Sequence, residues 1–237
     1  MRYMVMHKVD ATMEAGDRPA QTLVDAMGKL IGRAIKAGIF QDGAGLHRSA
    51  ARVRVTLAGG KRTVERGPYE GGNELVASFA MIVAASMEHA IELASRLAEV
   101  AGGGEIEIGP VVEGWDLHGG TRPANAPWRF LLLCKADRAF EAGAAQPAAV
   151  RQLLDDWKRD GVLQSSAVLA PSAQGTRSRG TGKRAWIDGP FAESKELVAG
   201  FSILAVPSLV EARAFADEYG AILGDNEVDV RVIADPA

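Results

Sequence analysis

The sequence contains a single cysteine, Cys134, and no long apolar run. One cysteine excludes an internal disulfide, which fits a reducing compartment. No segment approaches the roughly 18 apolar residues of a membrane-spanning helix, and the N-terminus lacks the apolar stretch of a signal peptide. We therefore expect a soluble cytoplasmic protein with no membrane partner, in which Cys134 is a buried, inert thiol rather than a nucleophile.

An excess of one charge is also missing. The 27 basic and 30 acidic residues give a net charge of −3, which argues against a nucleic-acid partner. The four histidines show no pair at metal-ligand spacing and there is no second cysteine, so no metal site is expected. The glycine runs at 43–45 and 101–104 lack the strand-to-helix context of a nucleotide-binding fingerprint. The sequence therefore predicts neither a metal nor a cofactor.

What the sequence does contain is a stretch that occurs twice. Residues 188–200 read D-G-P-F-A-E-S-K-E-L-V-A-G, and residues 67–78 read G-P-Y-E-G-G-N-E-L-V-A-S. Gly67 and Gly189 are 122 positions apart, and this register holds through both Leu-Val-Ala runs. The chain is therefore a tandem duplication, with a first repeat at 1–118, a linker at 119–127 and a second repeat at 128–237.

The apolar patterns predict the same order of elements in each repeat. Short apolar runs at 3–6 and 130–134 are typical of buried strands, and an amphipathic helix follows each. Alternation over 52–57 predicts another strand, which Gly59-Gly60 turns into a hairpin. The duplicated stretch leads into a further strand, a serine-capped helix and a last alternating strand. Each repeat therefore reads β-α-β-β-(β)-α-β.

This order predicts an α+β fold. An antiparallel sheet with both helices on one face needs a cover for its other face. We expect each repeat to form such a sheet, and the two sheets to pack face to face as an intramolecular pseudo-dimer of about ten strands. The linker at 119–127 favours pairing within one chain, and further homo-oligomerisation stays open. The strand residues expected in the sheets of this shared core are Val53, Val55, Phe79, Phe201 and Val230.

The motif and the order of elements resemble the YCII-related family, in particular the branch named for its D-G-P-F motif. The resemblance covers both repeats and rests on residues 188–196, on Gly45-Leu46-His47 and on the R-V-R-V strand at 52–55. It implies a ferredoxin-like fold paired as a dimeric α/β barrel, with a cleft between sheet and loops. It implies no reaction, because the family is largely uncharacterised; a histidine and an aspartate are regarded as the site in its simpler members.

The repeats differ at the residues that could carry chemistry. Arg66 stands where the second repeat has Asp188, and Gly71 stands where it has Glu193. All four histidines, in contrast, lie in the first repeat. We therefore predict one shared cleft rather than two equivalent sites. Its predicted catalytic residues are His47 and Asp188, and its predicted ligand-binding residues are Asp42, Arg54, Glu193 and Lys195.

Two functions remain open on this basis. A carboxylate such as Asp188 acts as a general base if burial shifts its pKa, and a neutral imidazole at His47 could exchange protons with Asp42. The same residues also suit a solvated turn and loop. The protein is predicted to bind, and to transform if it is an enzyme, a small polar metabolite. The alternative is a non-catalytic interaction or regulatory module whose cleft is filled by side chains.

Overall fold

The computed structural model shows an α+β protein and describes residues 1–16, 18–72, 74–180, 185–191, 194, 197–224 and 227–234. Within this part of the chain, the strands are β1 Arg2–Lys8, β2 Phe40–Leu46, β3 Val53–Ala58, β4 Lys61–Arg66, β5 Val76–Ala84, β6 Gly104–Val112, β7 Trp128–Lys135, β8 Leu163–Leu169, β9 Thr176–Arg179, β10 Ala185–Asp188, β11 Val198–Ala205 and β12 Val228–Ala234. The helices are α1 Ala11–Ala15, α2 Gln21–Lys36, α3 Met87–Ala101, α4 Gly114–His118, α5 Arg138–Glu141, α6 Ala148–Arg159 and α7 Leu209–Leu223. Single 3₁₀ turns at Ser49–Ala51 and Ser172–Gln174 precede β3 and β9.

Eight of these strands close into an antiparallel barrel. Their order is β1-β11-β2-β6-β7-β5-β8-β12, and β12 pairs with β1 from Val232 opposite Tyr3 to Val228 opposite His7. The other four strands form two hairpins, β3–β4 alongside β6 and β9–β10 alongside β12. The sandwich of about ten strands expected from the sequence is thus an eight-stranded barrel with two hairpin extensions.

The two repeats exchange strands. β5 of the first repeat lies between β7 and β8 of the second, and β11 of the second lies between β1 and β2 of the first. The continuous segment from β3 to β8 therefore forms one half of the barrel, and the two ends of the chain form the other. The expectation that each repeat builds its own sheet is wrong.

Connection length accounts for this exchange. β1 and β7 both carry an apolar run, so the strand sequence alone does not decide which sheet each joins. Between β6 and β7 the chain has only α4 and residues 119–127, and β7 returns antiparallel beside β6. Consecutive strands tend to become neighbours because a short connection has little reach. The segment 119–127 thus joins two adjacent strands of one sheet.

Apolar side chains fill three layers. Phe79 and Phe201 lie inside the barrel, with ring centroids 5.6 Å apart. Helices α3 and α6 cover one outer face over Val53 and Val55, and α2 and α7 cover the opposite face over Val230. Of the five residues predicted for the shared core, the two phenylalanines therefore lie between the sheets. The three valines lie under helices, because alternate side chains of a strand point to opposite faces.

Local sequence explains where the packed helices begin and end. The Ser86 side chain accepts a hydrogen bond from the His89 N–H and caps α3, which ends at Gly102 with φ 85°. Along α2, Leu30 and Ala34 form the buried part of one apolar stripe. None of the helices in the described ranges is both long and apolar enough to cross a membrane.

The repeats correspond position by position. Equivalent residues of β1 and β7, such as Lys8 and Lys135, are 127 positions apart; the separation is 123 from β2 and β8 onward and 122 from the Gly-Pro motif onward. We call such residues repeat equivalents. Asp42 and Ser165 are one pair, and the Ser165 hydroxyl donates to the Asp42 carboxylate at 2.7 Å. An approximate twofold axis therefore passes between these two residues.

Candidate functional site

Both copies of the Gly-Pro motif lie against a 3₁₀ turn. Gly67 and Gly189 each precede a cis-proline, and a Cβ on them would stand 1.8 Å from the Ser49 carbonyl oxygen and 1.9 Å from that of Ser172. The backbone N–H and hydroxyl of Ser49 donate to the Glu14 carboxylate, and Ser172 makes the same two bonds to Glu141. Since both repeats have this arrangement, the glycine and proline serve packing.

We expect Gly67→Ala to lower the free energy of unfolding by about 3 kcal/mol, because the Ser49 backbone must move to admit a methyl group. Gly72 lies in the same loop, and a Cβ there would have no neighbour within 4 Å. Gly72→Ala is therefore the matched control, with a change within about 0.5 kcal/mol. Urea unfolding measures both variants. Equal stabilities would show that Gly67 is not constrained by packing.

A buried ionic cluster lies beside the motif of the first repeat. Arg54 binds Glu74 at 3.0 Å, and Glu107 lies 2.9 Å from Arg52 and 3.4 Å from Lys135. Lys135 also contacts Glu74. Burial raises the pKa of Glu107, but Lys135 and Arg52 more than offset this, so its pKa lies below the ordinary value. The cluster therefore stays ionised and ties β3, β6 and β7 together.

The second repeat contains the same kind of cluster. Lys8 lies 3.3 Å from Asp229, and Arg177 lies 2.6 Å from Asp229 and 3.1 Å from Glu227. Arg177 is the repeat equivalent of Arg54, so the duplicated ion pairs are a requirement of the fold. Arg54, predicted to bind a ligand, is thus held by carboxylates of the protein itself.

Each cluster also contains an arginine that the two repeats supply from different positions: Arg52 in the first cluster and Arg231 in the second. The Nε of Arg52 donates to the His47 carbonyl at 2.6 Å, and the Nη2 of Arg231 donates to the Ala170 carbonyl at 2.6 Å. These two carbonyls are repeat equivalents, so the guanidinium groups occupy matching places. Each repeat has a glycine at the position from which the other repeat supplies its arginine: the repeat equivalent of Arg52 is Gly175, and that of Arg231 is Gly109.

A pocket of about 450 Å³ opens at the motif of the first repeat. We call it the Tyr69 pocket. Among the described residues, its lining contains two carboxylates and no basic side chain, which favours a ligand that is neutral or positively charged and donates hydrogen bonds. The described residues that line it are Val9, Glu14, Ser49, Pro68, Tyr69, Glu70, Gly71 and Leu197.

Tyr69 lies between this pocket and the buried ionic cluster. The Arg54 guanidinium carbon is 4.2 Å from the centroid of its ring. Burial raises the pKa of Tyr69, and the Glu107 carboxylate raises it further, so the hydroxyl stays protonated. This hydroxyl is buried and has no hydrogen-bond partner among the described residues. Buried polar groups in proteins are normally paired, so this unpaired hydroxyl is unusual.

The second repeat has a phenyl ring where the first has Tyr69. Phe191 is the repeat equivalent of Tyr69, and its backbone N–H donates to the Ser172 hydroxyl at 3.0 Å. Phe140, the repeat equivalent of Met13, packs with Phe191 against one small cluster. The buried members of this cluster are Leu75, Ala77 and Ala136. The second repeat keeps the acidic pair as Glu141 and Ser172, so among the described lining residues the clear difference between the repeats is the Tyr69 hydroxyl.

His47 and Asp42 do not contact each other as an acid–base pair. The Nε2 of His47 lies 3.4 Å from the Asp116 carboxylate, and the His47 side chain is 37% exposed. Asp42 instead accepts from the Ser165 hydroxyl and from the Gly43 N–H. The proposed His47–Asp42 partnership is therefore wrong, because Asp42 lies within β2 and bonds across the barrel, whereas His47 lies beyond the strand end beside α4.

Asp188 lies at the end of β10 and is 72% exposed, with Arg213 as its partner. No contact joins it to His47 in the part of the chain that the structure describes. Glu193 and Lys195 lie outside the described residues. Of the predicted site residues in the described ranges, only Arg54 reaches the Tyr69 pocket, through its stacking on the Tyr69 ring.

Sequence reasoning missed Glu14, Ser49 and Tyr69. The Glu-Ala-Gly sequence that contains Glu14 occurs in both repeats, which marks it as part of the fold rather than of one site. The available signal was the pairing of Tyr69 with Phe191 inside an otherwise matching Gly-Pro motif. That difference adds one hydroxyl to one repeat only.

His7 and Cys134 are repeat equivalents that lie away from this pocket; His7 is buried and Cys134 is half-buried. His7 Nδ1 is 2.7 Å from the Tyr219 hydroxyl, and burial, reinforced by nearby Arg52, lowers the pKa of His7 to about 3. Burial raises the pKa of the Cys134 thiol, which is consistent with an inert cysteine. The described residues contain no group of three or more His, Cys, Asp or Glu placed to hold a metal ion.

We expect the buried His7 to make the protein sensitive to mild acid. The folded-state pKa of about 3 lies below the ordinary 6.5, so the unfolded chain binds the proton first as the pH falls. The stability that neutral His7 contributes is present above pH 6.5 and is lost as the pH falls toward 3. Between neutral pH and about pH 4.5 this loss amounts to about 2.5 kcal/mol.

His7→Gln should remove this part of the acid dependence, and urea unfolding at a series of pH values measures it. His118→Gln, at an exposed position, is the control. An unchanged pH profile in His7→Gln would contradict the buried neutral state.

The fold and pocket define a class: a two-repeat α+β protein with a filled eight-stranded barrel and a polar pocket at one copy of a Gly-Pro motif. The family model of the YCII-related domain matches residues 1–114 and again residues 128–232. The chain therefore belongs to the YCII-related family and carries two copies of its domain. No curated protein and no solved structure matches it.

Proposed function

We propose that this YCII-related protein binds a small, neutral or positively charged molecule that donates hydrogen bonds, such as an amine or a polyol. The observation that carries the proposal is the Tyr69 pocket, whose lining combines two carboxylates with no basic side chain among the described residues. The fold does not require the Tyr69 hydroxyl, because the second repeat has Phe191 there.

The lining is organised before a ligand arrives. Ser49 is buried and holds the Glu14 carboxylate through both its N–H and its hydroxyl. Glu14 therefore needs little reordering to accept further hydrogen bonds, which lowers the entropic cost of binding. Glu70 is exposed at the rim, and Val9 and Leu197 supply apolar contact. A volume of about 450 Å³ suits a small metabolite.

The proposal assigns binding and no reaction. A general acid or base must come within hydrogen-bond reach of the group that it protonates or deprotonates. Neither His47 nor Asp188 lines the Tyr69 pocket, and their described partners lie in α4 and α7. Acid–base chemistry by these two residues has no geometric support at this pocket.

We also infer that each half of the barrel is a ferredoxin-like unit assembled from both repeats. Support comes from the strand order β6-β7-β5-β8 with α3 and α6 on one face, and from β12-β1-β11-β2 with α2 and α7.

A thermal-shift screen with matched amines, alcohols and carboxylates on the same carbon skeletons tests the proposed function. A ligand at 100 times its Kd adds about 2.7 kcal/mol of stability. Amines and polyols should raise Tm, and the matched carboxylates should not. Glu70→Gln should weaken the best hit about fivefold to tenfold, while Glu92→Gln, exposed on α3, should leave it unchanged. Stabilisation by carboxylates alone would overturn the proposed ligand class.

One observation favours the alternative, a non-catalytic interaction module. The barrel interior is packed with apolar side chains from both repeats, so the barrel itself offers no ligand space. The same screen separates the two functions. If no amine, alcohol or carboxylate raises Tm, the Tyr69 pocket is not a small-molecule site and the interaction module stands.

A further inference from the structure

A second pocket, of about 400 Å³, lies where the chain passes from the first repeat into the second. Its polar lining consists of His89 on α3, Arg122 and Trp128 at and before the start of β7, and Asp160 just after α6. We call it the Trp128 pocket. The remaining lining is small or apolar and consists of Val83, Ala84, Ala85, Ala126, Pro127, Gly161 and Val162.

Arg122 provides a positive charge with an unused donor. Its guanidinium carbon lies 4.2 Å from the Trp128 ring centroid, and Nη2 donates to the Ala126 carbonyl. These contacts fix the plane of the guanidinium. The Nε atom is buried and has no hydrogen-bond partner among the described residues. A carboxylate is the group that a guanidinium binds best, because the two planar groups match in geometry.

His89 provides a second donor. Its Nδ1 accepts the Ala85 N–H at 3.2 Å, so in the neutral imidazole the proton is assigned to Nε2. That N–H is not used in any hydrogen bond within the described residues. Two donors on different elements, His89 and Arg122, thus line one pocket.

Asp160 lines the same pocket with the opposite charge. It is exposed, and no ion pair joins it to Arg122 or to any other described residue. Oppositely charged side chains that share a small pocket without pairing can each bind a complementary group of one ligand. The acid of such a ligand matches Arg122, and its amine matches Asp160.

The other repeat shows that the fold does not need these residues. The Ala205 N–H donates to the Ile39 carbonyl at 2.8 Å, as the Val83 N–H donates to the Val162 carbonyl at 2.8 Å, so the backbone arrangement is the same. The side chains differ completely: the repeat equivalents of His89, Trp128 and Asp160 are Glu211, Met1 and Ala37. These polar side chains are therefore specific to the region where the first repeat passes into the second.

We propose that the Trp128 pocket binds a small amphoteric acid of the amino-acid type. Its carboxylate is held by Arg122 and His89, and its ammonium group by Asp160. An apolar side chain packs against Val83, Pro127 and Val162. This site is separate from the Tyr69 pocket and does not depend on the function proposed there.

Three phenyl compounds of similar size test the proposal: L-phenylalanine has both charges, phenylacetate only the acid and phenethylamine only the amine. Isothermal titration calorimetry of the full chain gives their affinities. We expect L-phenylalanine to bind at least about tenfold more tightly than either single-charge probe, since each matched charge adds roughly tenfold. Equal affinities for the three, or no binding at about 10 mM L-phenylalanine, would overturn the proposal.

Two variants test which side chain binds each charged group of the ligand. Arg122→Gln should weaken L-phenylalanine and phenylacetate about tenfold and leave phenethylamine unchanged. Asp160→Asn should weaken L-phenylalanine and phenethylamine and leave phenylacetate unchanged. Arg96→Gln, at an exposed position of α3 outside the pocket, is the matched control. Thermal melting checks that each variant is folded. Loss of binding in Arg96→Gln as well, or retention in both pocket variants, would place the probe elsewhere.

Discussion

Arg231→Gly should lower the free energy of unfolding by about 3–5 kcal/mol, because it removes a buried cation from a cluster of buried charges. Arg231 is 1% exposed, donates to the Ala170 carbonyl at 2.6 Å and lies 3.7 Å from Glu141. Burial raises the pKa of Asp229, but the charges of Lys8, Arg177 and Arg231 more than offset this, so its pKa lies below the ordinary value. Chemical denaturation measures the loss.

A second substitution should restore most of that stability. The first repeat fills the same space with Arg52 from the position equivalent to Gly175. The backbone matches, with φ −104° and ψ 174° at Gly175 and φ −98° and ψ 165° at Arg52. We therefore expect Gly175→Arg to recover about 2 kcal/mol or more in the Arg231→Gly background.

The single substitution Gly175→Arg completes a double-mutant cycle with Arg231→Gly. In the otherwise unchanged protein it should destabilise, because a Cβ at residue 175 would lie 2.6 Å from the Arg231 Cδ. The mirrored pair, Arg52→Gly with Gly109→Arg, repeats the test in the first repeat. If the two single effects simply add in the double variant, the arginines do not occupy one common space.

A fragment of residues 48–170 should fold better than a fragment of residues 1–118, although the lengths are similar and only the second is a sequence repeat. The reason is the exchange of strands between the two repeats. The segment 48–170 contains β3 to β8, with β5 between its partners β7 and β8, and the complete core under α3 and α6. The segment 1–118 keeps β5 but loses both of its neighbours, and β1 loses β11 and β12.

We expect residues 48–170 to unfold cooperatively as a dimer, because the face that carries Phe79, Met81 and Leu131 needs a cover. Residues 1–118 should aggregate or re-pair as a non-native dimer with a lower Tm. Light scattering after size-exclusion chromatography and thermal circular dichroism distinguish the fragments. A cooperative monomer from 1–118 would mean that the repeat is the folding unit and that the strand exchange does not control stability.

Much of the site could not be anticipated from the sequence. The Tyr69 pocket joins Glu14, Ser49 and Leu197, which are far apart in sequence and meet only because β11 lies between β1 and β2. The sequence predicts Arg54 as a ligand-binding residue, but its carboxylate partners Glu74 and Glu107 come from other elements of the fold. The partner of Asp188, Arg213, likewise comes from a distant element, α7.

The sequence by itself determined the duplication, the family and most elements of each repeat, because periodicity, caps and the Gly-Pro motif are local properties of a chain. It did not predict β2 or its equivalent β8, whose residues 40–46 and 163–169 lack a regular apolar pattern. It also marked the places where the repeats differ, such as Tyr69 against Phe191. Only the tertiary structure decided which copy of each strand pairs with which. β1 and β7 both present apolar runs, so strand pattern does not distinguish them, and the choice falls to connection length and to packing under α3, α6, α2 and α7. The pockets follow from that choice, because both are lined by segments that strand pairing alone brings together.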